Sequence, residues 1–97
     1  MACLYKDIQS ITHEGKYSIF LVQGERKIRV RKTLKEIFEE LTNYDFIWVD
    51  RGTICNLAFV ECVNNGAIIM KNEDKFWISR GKIKYFKQLI QKYWGNK

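Results

Sequence analysis

The sequence is poor in the residues that most enzymes work with. Its 97 residues hold one histidine, His13, and no GxSxG, P-loop, HExxH or GxGxxG pattern. That leaves little for acid–base or nucleophilic catalysis and argues against an enzyme. Cys3, Cys55 and Cys62 are odd in number and form no CxxC pair. Their spacing with His13 matches no zinc pattern, and Cys55 and Cys62 flank apolar strand residues, so reduced, buried, inert thiols are expected, with no metal or other cofactor. No apolar run approaches the roughly 20 residues of a membrane-spanning helix. The N-terminus, Met1-Ala2-Cys3-Leu4-Tyr5-Lys6-Asp7, also lacks the basic-then-apolar layout of a signal peptide. A cytoplasmic protein that keeps off membranes is therefore the expectation. Proline is absent, as are low-complexity runs, repeats and linkers, and 97 residues leave no room for a second domain. Residues 1–97 are expected to form one domain.

What the chain does have is apolar and aromatic substance. With 46% hydrophobic and 14% aromatic residues, it can bury a real core, which excludes the disordered class and the disulfide-stapled mini-protein class. Apolar runs of strand length dominate, and the period-2 pattern predicts strands at 4–12, 16–22, 26–31, 46–50, 57–63, 67–71 and 75–79. Turns are expected at His13-Glu14-Gly15, Gln23-Gly24-Glu25, Asn64-Asn65-Gly66 and Asn72-Glu73-Asp74. Two segments read as helices. One, at about 33–42, opens on Thr33-Leu34-Lys35-Glu36, the form of a capping box, with Leu34, Ile37, Phe38 and Leu41 on one face. The other, at about 82–94, repeats Ile83, Phe86, Leu89, Ile90 and Tyr93 at three- and four-residue steps.

Charge is unevenly spread. Seventeen Lys and Arg against eleven Asp and Glu give +6, yet residues 1–24 and 25–50 each sum to zero. Within the second of these, Arg26-Lys27-Ile28-Arg29-Val30-Arg31-Lys32 is offset by an acidic stretch holding Glu36, Glu39 and Glu40. From Lys75 to Lys97 there are seven bases and no acid. Such a segment attracts polyanions, of which nucleic acid is the most available.

Asp7-Ile8-Gln9-Ser10-Ile11-Thr12-His13-Glu14-Gly15-Lys16-Tyr17 is similar to the opening, and Thr33 to Leu41 to the short helix, of the LytTR family of bacterial DNA-binding domains. Phe46-Ile47-Trp48-Val49-Asp50-Arg51-Gly52-Thr53-Ile54-Cys55-Asn56 and Phe76-Trp77-Ile78-Ser79-Arg80-Gly81-Lys82 are similar to its two later motifs. The resemblance implies a mainly β fold, small antiparallel sheets packed as a sandwich with minor helix. It also implies a response-regulator type of transcription factor of a two-component system, binding promoter direct repeats in double-stranded DNA as pairs, with loops in successive major grooves. Base-directed contacts would fall on Lys16, Arg51 and Arg80, with Ser79, Lys82 and Lys84 on phosphates; arginine is the commonest bidentate reader of guanine. Where the family has His-Arg-Ser this chain has Asp50-Arg51-Gly52, an acid beside a proposed contact. Only six residues precede Asp7, so the reading expects the DNA-binding part without a receiver domain.

Two other readings compete. A β-barrel binder of single-stranded nucleic acid would stack bases on Tyr5, Tyr17, Phe20, Trp48 and Trp77, but these aromatics mostly fall in apolar strand patterns that a small fold must bury. A protein-interaction module would dock through the acidic helix or an edge strand, and it needs no basic C-terminus.

Overall fold

The computed structural model describes residues 5–24, 26–41 and 45–95. The chain divides into two compact units, Met1–Ala58 and Phe59–Lys97. In the first, a 3-10 turn at Tyr5–Asp7 leads into β1 (Ile8–Glu14), followed by β2 (Tyr17–Val22), β3 (Arg26–Val30), α1 (Leu34–Glu40), β4 (Phe46–Asp50) and β5 (Thr53–Asn56). All five strands join one antiparallel sheet in the order β3-β2-β1-β5-β4.

The core of this unit follows from the two periodicities in the sequence. Ile8, Ile11, Val22, Phe46 and Ile54 from the sheet meet Leu34, Ile37 and Leu41 from the helical stretch, with Tyr5, Phe20, Ile28, Phe38 and Trp48 packed around them. Each fully buried aliphatic contributes about 1.5–3 kcal/mol. The capping box forms as expected: Glu36 N donates to Thr33 Oγ1 at 3.1 Å, and Thr33 N donates back to Glu36 Oε1 at 3.0 Å. It fixes the point where the chain leaves β3 for α1.

In the second unit, β6 (Val60–Asn64), β7 (Ala67–Met70) and β8 (Lys75–Trp77) form an antiparallel sheet in that order. A 3-10 turn, Arg80–Lys82, then opens α2 (Ile83–Gly95), which lies against β6 and buries Phe86 and Ile90. The β6–β7 connection is the two-residue loop Asn65-Gly66, with φ +53 and +79. Both central residues are left-handed, as the hairpin turn that matches strand twist demands, and Asn-Gly is the pair that adopts it at least strain.

The structure departs from the sequence reading at several points. β5 was not expected: Thr53–Asn56 is four residues long, too short to show a period, yet it is an inner strand between β1 and β4. The strand expected at 57–63 starts only at Val60, because Leu57–Phe59 coils into a 3-10 turn. Asn56 sets that turn, its Oδ1 accepting from Ala58 N at 3.0 Å while its Nδ2 donates to Ile8 O at 2.9 Å. His13 and Glu14 belong to β1, since Glu14 pairs with Tyr17 and leaves Gly15-Lys16 as the whole loop. Cys55 is buried as expected, but Cys62 is exposed. The register of β6 slips between Val60 and Cys62, and the extra residue of such a bulge reverses the in–out alternation after it. Cys3, and Glu25 of the second expected turn, lie outside the described residues.

Candidate nucleic-acid interface

Antiparallel pairing gathers three connections of the first unit at one end of its sheet. Glu14 pairs with Tyr17 across Gly15-Lys16, Asp50 with Thr53 across Arg51-Gly52, and Ser18 with Val30 just before the β3–α1 junction. Thr12 pairs with Thr53, which sets the first two loops side by side. Between these connections lies a cleft of about 340 Å³ lined by Lys16, Lys32, Lys35 and Arg51, with Trp48, Leu34, Tyr17 and His13 among its walls. Among the described residues no carboxylate lines it.

Each cation is held by identifiable local structure. Arg51 is the first residue of a two-residue hairpin loop, and β4 carries a register shift between Trp48 and Asp50 immediately before it. A bulge at that place re-aims the residues that follow. Asp50 Oδ1 accepts from Gly52 N at 2.9 Å and closes the loop. Gly52 lies close to His13: a Cβ there would meet the exposed imidazole, Nε2 at 2.9 Å and Cδ2 at 3.0 Å, and would displace that ring. Lys16 is the second residue of the neighbouring loop and is exposed. The β3–α1 junction is tied down by buried Ser18, whose Oγ donates to Lys32 O at 2.6 Å.

Not every base of the run 26–32 is available. Arg29 lies 3.6 Å from Glu14 Oε1 and 4.5 Å above the Tyr17 ring, and Lys32 Nζ sits 3.2 Å from Glu40 Oε2. Among the described residues, Lys16, Lys35 and Arg51 have no ion-pair partner.

In the second unit, Ser79, Arg80, Lys82 and Lys84 cluster where β8 gives way to α2. Ile78 is buried and anchors the segment, whereas the four residues after it that carry polar groups are all exposed. Ser79 sits at the N-cap with φ −64 and ψ 145, and its hydroxyl makes no capping bond. Trp77, at 67% exposure, and Tyr85, at 59%, flank the group. The arrangement is a rigid strand-to-helix corner presenting cations and flat apolar surface, with no acid from Lys75 onward to neutralise it.

The chain matches a known family in sequence and in fold. A family model described as the LytTr DNA-binding domain matches residues 2–91. The chain belongs to the LytTR family. Its fold also matches the solved LytTr DNA-binding domain of a protein described as a methyl-accepting/DNA response regulator from Bacillus cereus, with a TM-score of 0.74. The two are 17% identical, over 93% of this chain and 86% of that one. None of the curated proteins matches the chain. Membership of the LytTR family makes DNA binding in transcription regulation the general function. Among the described residues no helix is long and apolar enough to cross a membrane.

Within this LytTR domain, Lys16 and Arg51 line one cleft, while Arg80, Ser79, Lys82 and Lys84 share the corner of the second unit. The sequence does not mark Lys32, Lys35 or His13 as DNA contacts. Lys32 and Lys35 read there as parts of a charge-balanced stretch and a capping motif, and only the sheet end brings them beside Arg51. The departure at Asp50-Arg51-Gly52 has a structural account as well. The carboxylate serves the loop's own backbone, and the space a serine side chain would fill is taken by the His13 imidazole.

Proposed function

We propose that this LytTR domain is a sequence-specific regulator of the response-regulator type that acts on promoter direct repeats in double-stranded DNA, in the cytoplasm, with copies bound in pairs. Its loops enter successive major grooves: Lys16, Arg51 and Arg80 reach base edges, and Ser79, Lys82 and Lys84 hold phosphates. The two units, spanning residues 1–97, work as one DNA-binding domain. The observation that carries this reading is the mounting of the cations. Lys16 and Arg51 stand on two adjacent hairpin loops of one sheet, braced by a bulge and the Asp50–Gly52 bond, with no partner among the described residues to hold them back. Long side chains on rigid elements are what major-groove readout needs.

Single-strand stacking has less support. Of its five aromatics, Phe20 and Trp48 are packed against the core and the Tyr17 ring lies beneath Arg29, whereas Trp77, expected in a buried strand, is 67% exposed and offers a free face for a base.

The test is selection from pooled random duplexes followed by binding of the enriched sequence. Arg80→Ala or Arg51→Ala should cost roughly 1–3 kcal/mol and relax preference at one base pair, whereas Lys84→Ala should weaken all duplexes alike. An arginine variant that lowers Tm and leaves the selected motif intact would make that arginine structural. Preference for single strands, or no enrichment at all, would remove the proposal.

A further inference from the structure

We infer that the cleft between the β1–β2 loop, the β4–β5 loop and the β3–α1 junction is a phosphate-binding site, with Lys35 as its principal ligand and Lys32 as a second held in reserve by Glu40. In the DNA complex it seats one backbone phosphate beside the bases read by Lys16 and Arg51. In that respect it rests on the function proposed above.

Four observations carry it. The cleft has a concave, partly apolar wall in Trp48 and Leu34 and four cations around it, with no carboxylate among the described residues of the lining. Three of those cations, Lys16, Lys35 and Arg51, make no ion pair among the described residues. Cations brought together by the fold repel one another, and a dianionic or monoanionic phosphate relieves that repulsion. Lys35 also stands in the first turn of its helix, where a cation opposes the backbone dipole, and it lines the cleft. Finally, Lys32 is positioned from its backbone by the Ser18 bond, while its ammonium is shared with the exposed Glu40 carboxylate at 3.2 Å. An exposed pair of this kind is weak, so a phosphate entering the cleft can draw Lys32 away from Glu40.

The experiment uses the full chain. Affinity for a selected and a scrambled duplex is measured across salt for the wild type, Lys35→Ala and Glu40→Gln. One phosphate contact adds about −0.9 to the log–log salt slope, equivalent to about eight-fold in affinity at 0.1 M when extrapolated from 1 M. Lys35→Ala should therefore weaken both duplexes about eight-fold at 0.1 M salt and flatten the slope by about 0.9, with sequence preference unchanged. Glu40→Gln should tighten both by about two- to five-fold, because it frees Lys32. A merely structural lysine would change neither slope nor Glu40→Gln behaviour. In a second arm, inorganic phosphate is titrated at constant ionic strength against the ¹⁵N amide signals of Lys16, Thr33 and Lys35. Shifts seen in the wild type and lost in Lys35→Ala mark a discrete site.

Wild-type affinity and slope in Lys35→Ala, with preference still lost in Arg51→Ala, would overturn the phosphate site while leaving the DNA reading intact. Phosphate-dependent shifts without any change in duplex affinity would place free phosphate, not DNA, in the cleft and overturn the inference as stated. A wild type that binds no duplex would end the DNA reading itself, and the inference with it.

Discussion

Asp50 is the acid that stands beside a proposed base contact, and its neutralisation has a calculable effect. The carboxylate is exposed and accepts from Gly52 N at 2.9 Å. No ion pair joins it to Arg51 among the described residues. Asparagine keeps the acceptor oxygen, so Asp50→Asn should preserve the hairpin and remove only the charge. A DNA phosphate about 7 Å from the carboxylate repels it by about 0.6 kcal/mol in water. With a Debye length of about 10 Å at 0.1 M that falls to about 0.3 kcal/mol, and with about 30 Å at 0.01 M it is about 0.5 kcal/mol. Duplex binding should thus tighten roughly 1.7-fold at the higher salt and roughly 2.2-fold at the lower, equally for selected and scrambled sequences. Asp50→Ala differs in kind, because it strips the Gly52 N–H of its partner. It should lose about 0.5–1.5 kcal/mol of stability, read as several degrees of Tm in a domain of this size, and it should blunt sequence preference as the Arg51 loop loosens. Fluorescence anisotropy on both duplexes at both salts, with thermal melts beside it, separates the two variants. If Asp50→Asn weakens only the selected duplex, the carboxylate aims Arg51 and the repulsion account is wrong; identical affinities everywhere would place Asp50 away from DNA.

Other consequences concern the fold that carries the site. Thr33→Ala removes the N-cap of α1 and should cost about 1 kcal/mol, measurable by urea denaturation at neutral pH; an unchanged midpoint would refute the cap's contribution. Glu36 accepts from the Thr33 backbone N–H and then from its hydroxyl, which lowers its pKa below the ordinary 4.5. A depressed folded-state pKa means the stabilisation is present above the unfolded value and lost as pH falls through the lowered one. The acid limb of Tm against pH should therefore flatten in Glu36→Gln, and an unaltered limb would count against it. Burial pushes the Cys55 thiol up to about 12, so iodoacetamide at pH 8 should label exposed Cys62 and spare Cys55 in the native protein. Equal labelling of the two by peptide mapping would show that β5 opens.

Much of this molecule is legible in its sequence because the signals are local. The Asn65-Gly66 turn, the Thr33–Glu36 box and the amphipathic run of α2 each depend on residues within one or two turns of chain. Residues so close meet in nearly every compact state. The motif order that marks the LytTR family is likewise a property of the string. Sheet order is different. β5 has no period to read in four residues, and it becomes an inner strand only because it pairs with β1, some forty residues earlier in sequence, and because Asn56 reaches the Ile8 carbonyl. The same non-local pairing assembles the cleft, drawing Lys16, Lys32, Lys35 and Arg51 from two hairpin loops and the strand-to-helix junction. A one-residue slip in β6 turned Cys62 outward. Composition supplied the cations, and antiparallel register decided which of them face one another, because register is set by the packing of the whole sheet and not by any segment of it.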